Sequence, residues 1–311
     1  MIRVMLNPDQ NLCFVNATLQ GLAWMTLICD GLHADQWKMG FEVMQAITLW
    51  TAVPLLISRL QPFLAFLTGD WGLESLGRQH DQMDFLCHIL MLARPRFING
   101  NWTTLIAWRH AWRQNMDDTD LVYECGHTAQ PIRMQFANFH ALSSDVQSLV
   151  NHWHDRSGFH RGLAQVSVGR CVSIDRALDL DSPPYSSKCT QLLNISDGWV
   201  QFPVHPLSGD TQWHWYQIVA ASFHLGMDTQ HGHYRTAIRC HNNWYIYDDN
   251  RLPEIVSNIP DDLLCQVTLL WLARSDRSND ATASRPAAKP AAKPKARAAP
   301  YRRDRGRGGR R

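Results

Sequence analysis

A cysteine lies at the start of an apolar helical pattern near the N-terminus, in the stretch Asn11 to Leu22. Apolar residues recur at helical spacing after Cys13, and Asn11 is a residue type that caps helix N-termini. In the first helical turn, free backbone N–H groups and the helix dipole favour the thiolate, the form of cysteine that attacks carbonyls. Cys13 is therefore a candidate nucleophile, although a small buried core residue would fit the same pattern.

A base for this cysteine, and a group to orient the base, are both present in the C-terminal third. Two strand-like runs flank the polar residues 240–243, which predicts a hairpin with a four-residue turn. If Arg239 pairs with Trp244, the two-residue alternation of strands makes His233 and Asp248 diagonal neighbours on one face. This pair supplies the imidazole and the carboxylate that a catalytic triad requires.

The choice of carboxylate depends on the strand register. A one-residue bulge would exchange Asp248 for Asp249. A plain surface hairpin with a solvated histidine and aspartate is the alternative that carries no chemistry.

An amphipathic helix is predicted over residues 79–93. Asp81, Asp84 and His88 share one face at positions i, i+3 and i+7, while the other face is apolar. Two carboxylates three residues apart form an acidic strip that could pair with arginines. A solvated helix face is the ordinary alternative.

The order of elements predicts an α+β protein, because helices come first and strands last. Helices are expected at 12–28, 40–68 and 79–93, the second broken near Pro54 and Pro62. The apolar run 46–57 lies inside the second and is expected in a buried helix pair. Short strand-like pieces in the middle are 132–136 and 164–168, and the C-terminal strands are expected at 200–204, 215–223, 233–239, 244–247 and 267–272.

The charge distribution divides the 311 residues into an acidic body and a basic tail. Residues 275–311, rich in Ala, Pro and Lys and then in Arg and Gly, carry a net charge of +9, which leaves −7 on residues 1–274. The tail has almost nothing to bury and is expected to be disordered. RNA binding, nuclear targeting and solubilisation each suit its composition.

The expected location is the cytoplasm, the nucleus or both. The N-terminus lacks the layout of a signal peptide, and the most apolar run is too short and too interrupted to cross a membrane. Eight scattered cysteines without a C-x-x-C pair indicate a reducing compartment.

Three stretches together resemble the ubiquitin-specific protease family, in that family's order. They are the Cys13 stretch, the run Gln79-His80-Asp81-Gln82-Met83-Asp84-Phe85-Leu86, and Gly232-His233-Tyr234 with Trp244-Tyr245-Ile246-Tyr247-Asp248-Asp249. The resemblance extends from about residue 7 to 273 and excludes the tail. It implies a papain-like cysteine peptidase domain over 1–274, with a helical thumb, a β palm and fingers.

The resemblance implies hydrolysis of the bond after the C-terminal glycine of ubiquitin. Its triad maps onto Cys13 as nucleophile, His233 as base and Asp248 as the residue that orients His233. Ubiquitin and ubiquitinated proteins are the implied partners.

Substrate-binding roles follow from the same resemblance. Asp81 and Asp84 match residues that hold the basic tail of ubiquitin. Gly232 and Tyr234, the neighbours of His233, are also assigned to substrate binding.

The sequence departs from the family at the oxyanion site. Where the family commonly carries an asparagine five residues before the cysteine, this chain has Pro8, which has no side-chain donor. Asn7, Gln10 or Asn11 could replace it, and Asn11 is the first candidate because it matches a family position. Loss of one such donor typically costs about 10²–10³ in rate.

A second departure concerns the fingers, which often carry two C-x-x-C pairs for zinc in this family. This chain has none, and only Cys125-Gly126-His127 is similar to such a fragment. Neither a metal nor a cofactor is therefore expected, and no Gly-rich phosphate loop is present. The short region between the acidic helix and the strands predicts reduced fingers.

These departures leave two alternatives to a deubiquitinase open. One is a catalytically weak protein that binds ubiquitin as a scaffold. The other is a peptidase of the same fold that acts on a different ubiquitin-like modifier.

Overall fold

Helices and strands follow each other in the α+β order that the sequence predicts. The structure is a computed structural model that describes residues 2–7, 11–49, 54–56, 80–98, 103–110, 124–129, 132–136, 144–156, 159–163, 166–178, 187–206, 210–228 and 231–275. Its elements are β1 (Met5–Leu6), α1 (Cys13–Ile28), α2 (Phe41–Thr48), β2 (Leu55–Leu56), α3 (Gln82–Ala93), β3 (Thr103–His110), β4 (Glu124–Ala129), β5 (Ile132–Gln135), α4 (Val146–His154), β6 (Asp155–Arg156), β7 (Phe159–Leu163), β8 (Gly169–Asp175), β9 (Trp199–Val204), β10 (Gln212–Leu225), β11 (His233–Cys240), β12 (Asn243–Tyr247), β13 (Glu254–Val256), α5 (Asp261–Leu264) and β14 (Val267–Arg274).

The described strands β3 to β14 belong to one sheet, which includes all the C-terminal strands. Its order is β13-β12-β11-β10-β9-β7-β3-β4, while β14 pairs with both β10 and β8. The long strand β10 is antiparallel to β9, β11 and β14. The C-terminal strands expected from the sequence are confirmed, with ends that differ by at most three residues.

Helix α1 packs against α2, α3 and the strands β10, β11 and β14. It is buried on all sides from Cys13 to Thr26. Gly21 permits this approach, because a Cβ there would lie 2.3 Å from the Trp271 ring nitrogen. The helix therefore lies directly against the sheet that carries His233.

The helix predicted over 40–68 is wrong beyond its first part. Helix α2 ends at Thr48, and Leu55–Leu56 forms a parallel strand pair with Met5–Leu6. Because Leu55 N–H donates to the Val4 carbonyl at 2.8 Å, its backbone joins strand β1. Leu55–Leu56 therefore do not belong to the buried helix pair expected over 46–57, while residues 50–53 and 57–68 of the prediction lie outside the described residues.

Among the described residues of the middle of the chain, α4 is a helix that the sequence patterns did not predict. Helix α4 begins after Asp145, whose carboxylate caps it by accepting a hydrogen bond from Ser148 N at 2.7 Å. The strand expected at 132–136 is confirmed as β5. The strand expected at 164–168 is wrong for residues 166–168, which lie between β7 and β8, while 164–165 lie outside the described residues.

None of the described helices is long and apolar enough to span a membrane. Of the predicted tail, only Ser275 lies among the described residues. The boundary at 274/275 and the disorder of the tail therefore stay predictions.

Candidate active site

Cys13 is the first residue of α1, and its side chain is buried. The N-cap residue is Leu12, which makes no side-chain cap hydrogen bond. The prediction that Asn11 caps this helix is therefore wrong by one residue. The Leu12 N–H instead donates to Asn7 Oδ1 at 3.4 Å, so a side chain from outside the helix contacts the turn that precedes Cys13.

The β11–β12 hairpin has the register in which Arg239 pairs with Trp244, as the sequence predicts. Cys240 also pairs with Asn243, so the turn contains two residues rather than four. His241 has the left-handed φ of 56° that such tight hairpin turns require. Because this register has no bulge, the carboxylate that reaches His233 is that of Asp248.

The His233 imidazole lies between Cys13 and Asp248. Its Nε2 is 2.6 Å from Asp248 Oδ1 and its side chain is about one-third exposed. The hydrogen bond with Cys13 is the largest cause that raises the pKa of His233 to about 9, and the bond to Asp248 adds to it, while burial opposes both. The ring is therefore a stronger base than a free histidine.

Asp248 is itself held by arginines. Its Oδ2 lies 2.9 Å from an Arg235 guanidinium nitrogen and 3.4 Å from one of Arg251. The pair register already places Arg235 opposite Asp248 across the hairpin, so the sequence carried the signal for this contact. The two arginines hold the carboxylate in place, with its other oxygen aimed at His233.

Asp249 performs a different task from Asp248. Its Oδ2 lies 4.0 Å from His233 Nδ1, beyond hydrogen-bond distance. Its carboxylate accepts hydrogen bonds from Asn7 Nδ2 at 3.0 Å and Asn16 Nδ2 at 2.6 Å. The residue has a φ of 41°, a conformation that aspartate tolerates better than most residues. Asp249 therefore ties the end of the hairpin to the segment around Cys13.

The candidate oxyanion donors differ in their surroundings. Asn7 is fully buried, and its amide nitrogen is hydrogen-bonded to Asp249. Asn11 is half-buried two residues before Cys13. Pro8 and Gln10 lie outside the described residues. Asn11 stays the first candidate because it matches a family position, and the Asn7 amide is bonded to Asp249.

Asp81 and Asp84 are exposed at the start of α3. Asp81 is the N-cap, and its carboxylate accepts the Met83 N–H at 2.7 Å. The apolar face expected from the sequence is confirmed, because Phe85, Leu86, Ile89 and Leu90 are all fully buried. The placement of His88 on the exposed acidic face is wrong, because its side chain is buried in the packing of α3 against its neighbours.

A buried polar junction joins the helices to the sheet. Ser222 Oγ in β10 accepts a hydrogen bond from Gln82 Nε2 at 3.0 Å and lies 3.2 Å from Thr236 Oγ1. Thr236 Oγ1 donates to the Ala17 carbonyl of α1 at 2.9 Å. The junction links the cysteine helix, the acidic helix and the histidine strand, and no local sequence pattern predicts contacts so distant along the chain.

Gly232 and Tyr234 lie on either side of His233. A Cβ at Gly232 would lie 2.4 Å from the Leu225 carbonyl oxygen, so only glycine fits this approach to β10. The Tyr234 hydroxyl accepts the Gln82 N–H at 3.4 Å, and its ring stacks on His224 at 4.5 Å. Both residues therefore shape the surroundings of His233, and their assignment to substrate binding stays a prediction.

His154 belongs to a described group of side chains that could share a metal ion. Cys171 is fully buried in β8, and burial raises the pKa of its thiol well above the usual range. Nothing is described of the Cys125 and His127 side chains on β4.

A cysteine at the start of a buried helix, facing a histidine on an antiparallel sheet, is the arrangement of a papain-like cysteine peptidase. A family model described as ubiquitin carboxyl-terminal hydrolase matches residues 80–270. The chain belongs to this family and is a ubiquitin hydrolase of the cysteine type. The matched range includes His233 and Asp248, and Cys13 precedes it.

Comparison with solved structures supports the same α+β papain-like fold. The structure of the SAGA Ubp8/Sgf11/Sus1/Sgf73 DUB module bound to ubiquitin aldehyde matches with a TM-score of 0.59 and 12% identity over 88% of this chain and 69% of that chain. The Ubp8-Sgf11-Sgf73-Sus1 SAGA DUB module matches with a TM-score of 0.55 at 12% identity, over 88% and 67% of the two chains. No curated protein matches the sequence at a significant level.

Proposed function

We propose that this enzyme hydrolyses the bond after the C-terminal glycine of ubiquitin through an acyl-enzyme on Cys13. The observation that carries the proposal is the position of the His233 ring, which lies 2.6 Å from Asp248 and is close enough to Cys13 for the thiol to raise its pKa. His233 takes the thiol proton before the thiolate attacks and then gives that proton to the leaving amine. Water then cleaves the thioester and releases ubiquitin.

The frame around the triad supports this assignment. Asp248 is fixed by Arg235, and Asp249 is bonded to asparagines on both sides of Cys13. Preorganised groups of this kind reduce the reorganisation that a reaction requires. Asn11 and the Cys13 backbone N–H are proposed to bind the oxyanion.

Turnover of ubiquitin that carries a fluorophore on a C-terminal amide tests the proposal. The wild-type protein is expected to release the fluorophore, and Cys13→Ala is expected to release none, because no other group replaces the sulfur. A scaffold protein would bind the substrate without turnover. Release from a ubiquitin-like modifier, without release from ubiquitin, would assign the site to that modifier.

Asp81 and Asp84 are proposed to hold the basic tail of ubiquitin. The double variant Asp81→Asn/Asp84→Asn is expected to raise KM about tenfold with kcat nearly unchanged. This corresponds to a loss of about 0.7 kcal/mol of binding free energy for each exposed ion pair with the ubiquitin tail. Asparagine at 81 retains the helix cap, so the fold is kept. Steady-state kinetics check this result, with the exposed Asp35→Asn as control. An unchanged KM would remove both carboxylates from the binding site.

The rate of amide hydrolysis is expected to fall above a pH of about 9, where His233 loses the proton that the leaving amine needs. The Asp248→Asn variant should move this falling limb to lower pH, because the bond to Asp248 helps to raise the pKa of His233. Profiles of kcat/KM against pH for both proteins measure the shift. A falling limb at the same pH in both would contradict the coupling.

The basic tail is proposed to bind RNA through its charge. Deletion of residues 275–311 should abolish salt-sensitive RNA retention and leave amide hydrolysis unchanged. Filter binding at two salt concentrations measures the first effect. Equal RNA binding by the truncated and the full-length protein would refute this role.

A further inference from the structure

Two histidines and an aspartate meet where α4 ends and the β6–β7 hairpin begins. His154 is the last residue of α4, Asp155 opens β6, and His160 pairs with Asp155 across the hairpin. One ligand atom from each of the three side chains lies within 4.8 Å of the other two. The group shares no residue with the site around Cys13.

The tautomer of His154 is fixed by a neighbour. Its Nδ1 lies 2.5 Å from the Arg161 carbonyl oxygen, which can only accept, so Nδ1 carries the proton. The lone pair is therefore on Nε2. A hydrogen bond from one ring nitrogen to a carbonyl, with the other nitrogen available, is the usual arrangement of metal-binding histidines.

His160 and Asp155 approach each other without a hydrogen bond. His160 Nδ1 is buried and lies 2.9 Å from Asp155 Oδ1, yet it has no hydrogen-bond partner. Its ring stacks on that of His154 with the centroids 4.8 Å apart and the planes inclined by 12°. His160 Nδ1 and Asp155 Oδ1 are therefore close enough to bind the same cation.

Residues that contact His154 and His160 limit the movement of these two side chains. His205 is fully buried, with Nε2 at 3.0 Å from the His160 carbonyl oxygen and Nδ1 at 3.0 Å from Thr211 Oγ1. Both ring nitrogens of His205 are therefore engaged, which leaves it as a support rather than a ligand. The Trp213 ring lies edge-on to His154 at 5.2 Å and limits its rotation.

We infer that His154, Asp155 and His160 bind a zinc ion that fastens the β6–β7 hairpin to the end of α4. Two imidazole nitrogens and a carboxylate oxygen are a donor set that suits Zn²⁺, and three protein ligands leave a fourth position for water. Neighbouring ligand atoms of tetrahedral zinc lie about 3.3 Å apart. The exposed Asp155 side chain can rotate to close the remaining distance.

Titration of metal-free, full-length protein with Co²⁺ tests the site, because bound cobalt absorbs visible light and Zn²⁺ displaces it. The wild-type protein should bind one equivalent. His154→Ala and His160→Ala should lose this binding, and Asp155→Asn should weaken it at least about tenfold. His152→Ala, on the exposed side of the same helix, is the matched control and should bind as the wild type does.

Circular dichroism of each variant separates loss of the ligand from loss of the fold, and Asp155→Asn changes only an exposed side chain. Absence of binding to the wild-type protein, or binding by either histidine variant equal to that of the wild type, would overturn the proposal. Loss of binding in Cys125→Ser with retention in His154→Ala would place the ion elsewhere and would also overturn it.

Discussion

Hydrolysis of the ubiquitin amide by the His233→Ala variant is expected to be about 10³–10⁴-fold slower in kcat than hydrolysis by the wild-type protein. The ring accepts the proton of Cys13 and returns it to the leaving amine, and the described side chains around Cys13 include no second group shown to do both. KM should change little, because His233 contacts the reacting bond rather than the body of ubiquitin. Single-turnover and steady-state kinetics measure the two effects separately.

The control for this variant is His231→Ala, two residues earlier in the chain. His231 is an exposed side chain that pairs with Asp228 in the loop before β11. Its replacement should leave kcat near the wild-type value. Equal losses in the two variants would show that the loop geometry, rather than the His233 imidazole, determines the rate.

Trp271→Ala is expected to cost the largest free energy of unfolding among single core truncations near the site, about 3–5 kcal/mol. The Trp271 ring is fully buried in β14, lies against Gly21 of α1, and donates from Nε1 to Ser222 Oγ at 3.4 Å. Its removal leaves a cavity between the cysteine helix and the sheet. It also removes one contact of the polar junction that joins the helices to β10.

Urea denaturation followed by fluorescence or circular dichroism measures this loss as a lower transition midpoint. Leu252→Ala is the control, because Leu252 is 84% exposed and its truncation should change the free energy of unfolding by less than about 0.5 kcal/mol. If the urea midpoint of Trp271→Ala equalled that of Leu252→Ala, the packing of α1 against the sheet would not depend on the Trp271 ring.

Local patterns were sufficient for the parts of the site that lie within one element. The apolar periodicity after Cys13 predicts α1 within one residue of its observed start, and the polar turn at 240–243 favours the pairing of Arg239 with Trp244. That register alone brings His233 to Asp248, because side chains on one face of a hairpin are neighbours by geometry.

Contacts between distant segments could not be predicted in this way. Asn7 and Asn16 bond to Asp249 more than 230 residues further along the chain. Asparagine is common in both helix caps and turns, so no local pattern distinguishes an asparagine that bonds to Asp249 from an ordinary loop asparagine. The links between Gln82, Ser222 and Thr236 were missed for the same reason.

The errors at Leu55 and His88 have a common physical origin. Leu55 lies in a run with helical composition, but its N–H is taken by Val4 in a strand pair. His88 has the spacing of an exposed polar face, yet tertiary packing covers it. In both cases the local structure or the burial is determined by residues distant in the sequence, and a local periodic pattern contains no information about such contacts.

The residue that attacks ubiquitin can be identified directly by covalent capture. Full-length protein is incubated with ubiquitin that carries a C-terminal electrophile, and the linked peptide is sequenced by mass spectrometry. The described thiols of Cys29 and Cys87 compete poorly, because burial raises the pKa of Cys29 to about 12 and is the largest cause that raises the pKa of Cys87 to about 11. The proposed mechanism predicts a single adduct on Cys13 that Cys13→Ala abolishes. An adduct on another cysteine, or one that persists in Cys13→Ala, would contradict it.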